Sequence, residues 1–214
     1  MSVTLKLATS LDGRIATASG QSRWITGERA REAVHGLRAA HDAVVVGVET
    51  ALADDPELNV RLPGYQGPQP ARVVLDSRQR LDPGCKLVAT ARQIPTYVVA
   101  TTPPEPRLAD AGVRILQAPA VGEDRPELKT VVQALAAEGL VRLFVEGGGQ
   151  VAASFLRCGL VDALEWFRAP LVIGGEGRPA VGALAIAGLT DAPHFRRTEV
   201  RELGDDLWER YERI

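Results

Sequence analysis

The sequence predicts an α/β protein: a mixed, mostly parallel sheet with helices on both faces and an antiparallel hairpin at the C-terminal end. Three observations carry this reading. Short β-branched runs alternate with helix-period stretches across residues 42 to 158. A strand, a glycine turn and a helix follow one another directly between Val141 and Cys158. Phe195–Leu203 and Asp206–Tyr211 read as two strands joined at Gly204-Asp205, a hairpin signature. No repeat, low-complexity tract or linker interrupts residues 1–214, so a single domain is expected.

The elements follow in order. Val3 to Ala8 alternates with period two, Val3, Leu5 and Leu7 on one face and Thr4, Lys6 and Ala8 on the other, as in a half-buried strand. Ser10-Leu11-Asp12-Gly13 is a turn, and Arg14 to Thr17 resumes as a short strand. Thr26 has the chemistry of an N-cap for a helix from Gly27 to Ala39, with Arg29, Ala33, Leu37 and Ala40 near helical spacing. Asp42 to Gly47 is a continuous β-branched run, suited to a strand covered on both faces. Thr50 to Asp54 supplies one or two helical turns, and Asp55-Pro56 ends them. The proline-rich stretch 56–70 is a loop of the length that often carries function.

Strands are expected at Arg72–Asp76, Leu87–Ala89, Thr96–Ala100 and Gly112–Leu116. Glu127 to Glu138 forms a helix with Leu128, Val131, Val132 and Leu135 turned inward, ended by Gly139. Val141 to Val145 is a strand and Gln150 to Cys158 a helix, with Val151, Phe155 and Cys158 on one face. Ala163 to Ile173 carries a further strand, broken at Pro170.

The triple glycine Gly147-Gly148-Gly149 lets the chain turn sharply and brings main chain close to a ligand. The free amides of the helix that follows favour an anion such as a phosphate or diphosphate. The pattern is neither G-x-G-x-x-G nor a P-loop, because no Lys-Ser/Thr follows the last glycine. Glu146 stands at the end of the strand, where sheet proteins place reactive side chains.

Composition narrows the classes. A net charge of −2 gives no reason to expect nucleic acid or an anionic membrane as partner. The longest apolar run, Val181 to Leu189, falls well short of the ~20 residues of a membrane span. No signal-peptide layout is visible at the start, so a cytoplasmic location is expected. Cys85 and Cys158 stand apart, as do His35, His41 and His194, and no metal site is expected.

Four ordered blocks resemble one family. They are Lys6-Leu7-Ala8-Thr9-Ser10-Leu11-Asp12-Gly13, Ser22-Arg23-Trp24-Ile25-Thr26, the run from Thr50 through Asp54-Asp55-Pro56-Glu57-Leu58 to Arg61, and Val145-Glu146-Gly147-Gly148-Gly149. The family is the reductase domain of bacterial riboflavin biosynthesis, with its dihydrofolate-reductase-like fold. The resemblance implies an NADPH-dependent enzyme that reduces the ribosyl group of a phosphoribosylaminopyrimidine to ribityl, working as a homodimer. By position it implies cofactor contacts at Ala8, Trp24, Thr50, Asp54 and Ser77, with the diphosphate over Gly147, Gly148, Gly149, Gln150 and Val151 toward Ser154. Substrate contacts are implied at Ser22, Arg38, Leu58, Arg61 and Glu146, and Lys6 is the implied active-site lysine. Ser77 with Arg78 is the expected neighbour of the 2′-phosphate.

The zinc deaminase that precedes this domain in most bacterial relatives is recognised by H-x-E and P-C-x-x-C, and neither occurs here. A stand-alone reductase is therefore expected, its ring either the deaminated uracil or the diaminopyrimidinone. Two other readings compete. A folate reductase needs a buried acid facing the pteridine, for which Glu28 and Glu32 are the candidates. A non-catalytic NADP-binding module has no use for Lys6 and Glu146 together.

Overall fold

A computed structural model describes residues 1–214. In chain order the elements begin β1 (Ser2–Thr9), β2 (Arg14–Ala16), α1 (Glu28–Ala39), β3 (Ala43–Gly47), α2 (Val48–Asp54) and β4 (Ala71–Leu75). There follow α3 (Lys86–Ala89), β5 (Thr96–Ala100), α4 (Pro106–Ala109), β6 (Arg114–Gln117), β7 (Ala120–Val121), β8 (Arg125–Pro126) and α5 (Leu128–Ala137). The last are β9 (Arg142–Val145), α6 (Gly149–Arg157), β10 (Ala163–Arg168), β11 (Arg178–Pro179), a 3-10 turn at Leu189–Asp191, β12 (Phe195–Leu203) and β13 (Asp206–Arg213). The chain divides into two compact units, one made of His35–Phe144 with Met1, the other of Ser2–Val34 and Val145–Ile214.

In the unit 35–144, β3, β4, β5 and β6 pair in parallel, in that order. β3 and β5 are buried along their whole length, which fits sequences that carry small, β-branched or aromatic residues throughout and do not alternate with charged ones. α5 buries Leu128, Val131, Val132 and Leu135, the four residues its periodicity singles out. Gly139 follows with φ of 83°, a left-handed turn after the helix that a glycine takes without strain. Arg72 lies inside this unit, 1% exposed, with its guanidinium bonded to Thr90, Thr96 and the carbonyls of Leu87 and Ile94. Burial lowers its pKa to about 10.

The expected strand at Leu87–Ala89 is instead the one-turn helix α3. Three residues of apolar sequence carry no period, and two tertiary contacts decide for the helix. Asp55 Oδ1 accepts the Lys86 N–H at 2.8 Å, and the Leu87 carbonyl is drawn to Arg72. α2 starts at Val48 rather than at Thr50, with Gly47 as its N-cap.

In the unit 2–34 with 145–214, β1 runs parallel to β10, β13 pairs antiparallel with β10, and β12 antiparallel with β13. The C-terminal hairpin is as expected, and the Ala163–Ile173 strand ends at Arg168, before Pro170. Phe167 and Trp208 stack across β10 and β13 at 5.4 Å. Glu165, nearly fully buried, accepts bonds from Trp208 Nε1 at 2.6 Å and Arg210 Nε at 2.7 Å.

Two helix readings are corrected here. α1 begins at Glu28, and Arg31 N–H bonds the Gly27 carbonyl, so Gly27 and not Thr26 holds the capping position. The donor of Gly27 is met from far along the chain, by Asp206 Oδ2 at 2.6 Å. The buried residues of α1 are Ala30, Val34 and Leu37, whereas Arg29 and Ala40 are exposed. α6 buries Ala152, Ala153 and Phe155, and Cys158 lies exposed just past its end. Small residues can form the buried stripe of a helix that packs closely, and a search for large apolar side chains overlooks them.

Candidate active site

β1 alternates from Leu5 to Ala8, with Leu5 and Leu7 buried and Lys6 and Ala8 only partly covered, although Thr4, expected on the Lys6 face, is buried too. This turns the Lys6 side chain away from the apolar layer, and its amine stands 3.8 Å from Glu146 Oε2. Both groups are largely enclosed, with side-chain exposures of 18% and 9%. Glu146 follows β9 directly, at the bend into the glycines. An ammonium and a carboxylate held this close in a largely enclosed setting form a pair able to give a proton at one point and steady positive charge at another.

α6 starts at Gly149 after the N-cap Gly148, and its first intrahelical bond runs from Ala152 N–H to the Gly148 carbonyl. The amides before Ala152 point out of the helix end, the arrangement that receives an anion. Glycine at 149 is required by the protein's own chain. A Cβ there would sit 2.5 Å from the Pro179 carbonyl, and the Gly182 N–H donates to the Gly149 carbonyl at 2.8 Å.

Asp12 clamps the loop after β10. Its carboxylate accepts bonds from Ser10 Oγ at 2.6 Å, Ile173 N–H at 3.1 Å and Gly174 N–H at 2.8 Å. The Ser10 hydroxyl and these two amides hold its pKa down to about 2. The Asp-Gly pair read as a turn therefore also ties two distant loops together. Ser22 is partly buried, and Trp24 is 69% exposed with the Arg31 guanidinium over its ring at 4.4 Å.

The unit 35–144 holds the other expected site residues. Arg38 Nη1 donates to the Asn59 carbonyl at 3.0 Å, and His35 Nδ1 lies 3.1 Å from the same oxygen. Arg61 Nη1 donates to Asn59 Oδ1 at 2.8 Å and to Glu57 Oε2 at 2.9 Å. Asn59 thus ties both arginines to one short loop, and guanidinium groups so placed suit a phosphate. Leu58 is buried with φ of 53°, so only its main chain is available to a ligand. Left-handed backbone at a leucine is uncommon and marks a loop held by its surroundings.

The neighbouring acids Asp54 and Asp55 separate by task. Asp55 is the left-handed C-cap of α2 and anchors Lys86, while Asp54, partly buried, ends the helix itself. Thr50 is partly buried on α2. Ser77 follows β4, its carbonyl bonded by Thr101, and Arg78 beside it pairs with Asp124 at 3.3 Å. Asp76 is fully buried, and its pKa is raised by that burial. Glu28 and Glu32 are both exposed on α1, which removes the two acids that the folate-reductase reading put forward.

Sequence reasoning missed Arg31, Asp206 and the second role of Asp12. A cation in the first turn of a helix was the one available signal for Arg31. Nothing local pointed to Asp206.

Strand pairing, the Lys6–Glu146 couple and the glycine bend into α6 define an α/β protein of the dihydrofolate-reductase-like class. The chain belongs to the RibD C-terminal domain family, which residues 1–208 match. It is 35% identical over 210 residues to the riboflavin biosynthesis protein RibD of Bacillus amyloliquefaciens, with 96% of this chain and 55% of that protein covered. It is 37% identical over 207 residues to the 2,5-diamino-6-ribosylamino-4(3H)-pyrimidinone 5′-phosphate reductase of Methanothermobacter thermautotrophicus, covering 96% of this chain and 94% of that one. The solved structure of Acinetobacter baumannii RibD superposes with a TM-score of 0.88 at 33% identity, over all of this chain and 58% of that one. The chain spans about half the length of RibD proteins such as those of Bacillus amyloliquefaciens, Actinobacillus pleuropneumoniae and Aquifex aeolicus. No helix is long and apolar enough to cross a membrane.

Proposed function

We propose that this chain is a cytoplasmic NADPH-dependent reductase that converts the ribosyl group of a phosphoribosylaminopyrimidine to ribityl, as one domain over residues 1–214. The observation that carries the reading is the enclosed Lys6–Glu146 pair, 3.8 Å apart. The substrate is 5-amino-6-(5-phosphoribosylamino)uracil or its 2,5-diaminopyrimidinone precursor. Family membership and the relative named for the second compound support it.

Lys6, as the ammonium, gives a proton to the ribose ring oxygen as the bond from that oxygen to C1 breaks. The glycosylamine nitrogen's lone pair forms the double bond to C1, giving an open-chain protonated imine, and the Glu146 carboxylate steadies its positive charge. NADPH, when bound, supplies the hydride that C1 receives, leaving a secondary amine and a ribityl chain. Arg38 and Arg61, tied to Asn59, bind the phosphate, Ser22 and the Leu58 main chain orient the ring and sugar, and water is kept from Lys6 by the enclosure of its side chain.

The residues present fit the cofactor. The helix start at Gly148 and Gly149 offers amides to a diphosphate, with Gly147, Gln150 and Val151 around it, and Trp24 offers an exposed ring. Ala8, Thr50 and Asp54 complete the proposed contacts, and Ser77 with Arg78 receives the 2′-phosphate. A homodimer is proposed too, supported by β12, a long and mostly exposed strand paired on one side with β13. Oxidation of NADPH by purified protein, with each pyrimidine in turn and with dihydrofolate, tests the function. Turnover of dihydrofolate alone would overturn it.

A further inference from the structure

Trp24 is highly exposed for an indole, yet a guanidinium lies over its ring. The Arg31 guanidinium carbon lies 4.4 Å from the ring centroid, and Arg31 Nη1 donates to the Thr26 carbonyl at 3.0 Å. Arg23 is farther off, at 5.9 Å. Arg31 stands in the first turn of α1, the end of a helix that disfavours a cation. Its side chain turns back toward the loop before the helix, where it meets the Thr26 carbonyl and the indole. Asp206, 4% exposed, holds the Gly27 N–H at 2.6 Å, and Arg31 N–H bonds the Gly27 carbonyl. Asp206 thus anchors the residue before α1, and the Arg31 side chain reaches from the first turn of α1 to the indole.

We propose that Arg31 is a positioning residue that holds Trp24 as a platform for the nicotinamide ring and makes that platform favour the reduced cofactor over the oxidised one. The proposal rests on the reading that Trp24 contacts the cofactor. An aromatic face attracts a cation, and a guanidinium already stacked on one face has taken up that attraction. A second cation approaching the same ring then meets the first charge through it. The dihydronicotinamide of NADPH is neutral and stacks without that cost. Once hydride has left, the ring carries one positive charge and is repelled, which assists release of NADP⁺.

The test compares Arg31→Met, which keeps a long apolar stem without charge or donor, with Arg31→Lys and Trp24→Phe in the full chain. Dissociation constants for NADPH come from its fluorescence on binding, and those for NADP⁺ from displacement of NADPH. Arg31→Met is expected to lower the ratio of the NADP⁺ to the NADPH constant by about two- to fivefold, the size of an exposed cation–π contact. Arg31→Lys is expected to restore most of that ratio. Collisional quenching of the fluorescence that Trp24→Phe removes should rise in Arg31→Met. Arg31→Gln serves in its place should the methionine variant fail to fold. A ratio unchanged in Arg31→Met while Trp24→Phe weakens NADPH binding would overturn the role of Arg31 and leave the cofactor reading standing. Unchanged constants in Trp24→Phe would overturn the cofactor reading itself, and this proposal with it.

Discussion

Lys6 lies opposite Glu165 in the register of β1 and β10, yet its amine is within 3.8 Å of Glu146. The Glu165 carboxylate is held by Trp208 and Arg210, so the two acids near this stretch of β1 have different tasks. Glu165 ties the hairpin to β10, and Glu146 stays with the lysine. Lys6→Ala is therefore expected to lower kcat by about 10²–10⁴-fold, the usual yield of a positioned proton donor. Circular dichroism should show the fold retained, because the side chain lies outside the apolar layer.

Arg38 and Arg61 meet at Asn59 from a helix and a loop. Removing either guanidinium should weaken a phosphorylated substrate by about 10- to 100-fold in KM, the equivalent of one charged hydrogen bond. A dephosphorylated analogue should respond far less. Equal losses on both compounds would mean that the arginines shape the loop and do not bind phosphate.

Asp12 gives a pH dependence whose sign is fixed by its hydrogen bonds. Its folded pKa of about 2 lies below that of an unfolded aspartate, about 3.9, so the ionised form favours the closed loop. That contribution is complete above about pH 4 and is lost as pH falls through about 2. Hydrogen exchange at the Ile173 and Gly174 amides, corrected for intrinsic rates, should accelerate across that interval. Asp12→Asn should show faster exchange above it and little change within it.

Gly149 is fixed by contact with residues 179–182. Gly149→Ala would place a Cβ 2.5 Å from the Pro179 carbonyl and should destabilise the protein by about 1–3 kcal/mol, as overpacking does. Urea unfolding measures it. An unchanged midpoint would show that the 179–182 segment shifts freely.

Long periodic elements are legible in the sequence. The inward residues of α5, the buried runs of β3 and β5 and the C-terminal hairpin follow from spacing alone. α3 was not, since three apolar residues fit either state and the choice fell to Asp55 and Arg72. The start of α1 was misread because its capping carboxylate, Asp206, lies 179 residues from Gly27. Lys6 and Glu146 were visible as types at suggestive places, but their distance was not. Roles that depend on two loops meeting, as at Asp12 and Asn59, carry no local pattern and emerge only from the fold.

The most direct test of the account is the rate at which the purified chain oxidises NADPH with each phosphoribosylaminopyrimidine, measured for the native sequence and for Lys6→Ala side by side. The account predicts steady oxidation with one of the pyrimidines and the formation of a ribityl product, both reduced at least about a hundredfold in the variant. A folded Lys6→Ala protein that turns over at the native rate, or a native protein that leaves NADPH untouched with both pyrimidines, would contradict it.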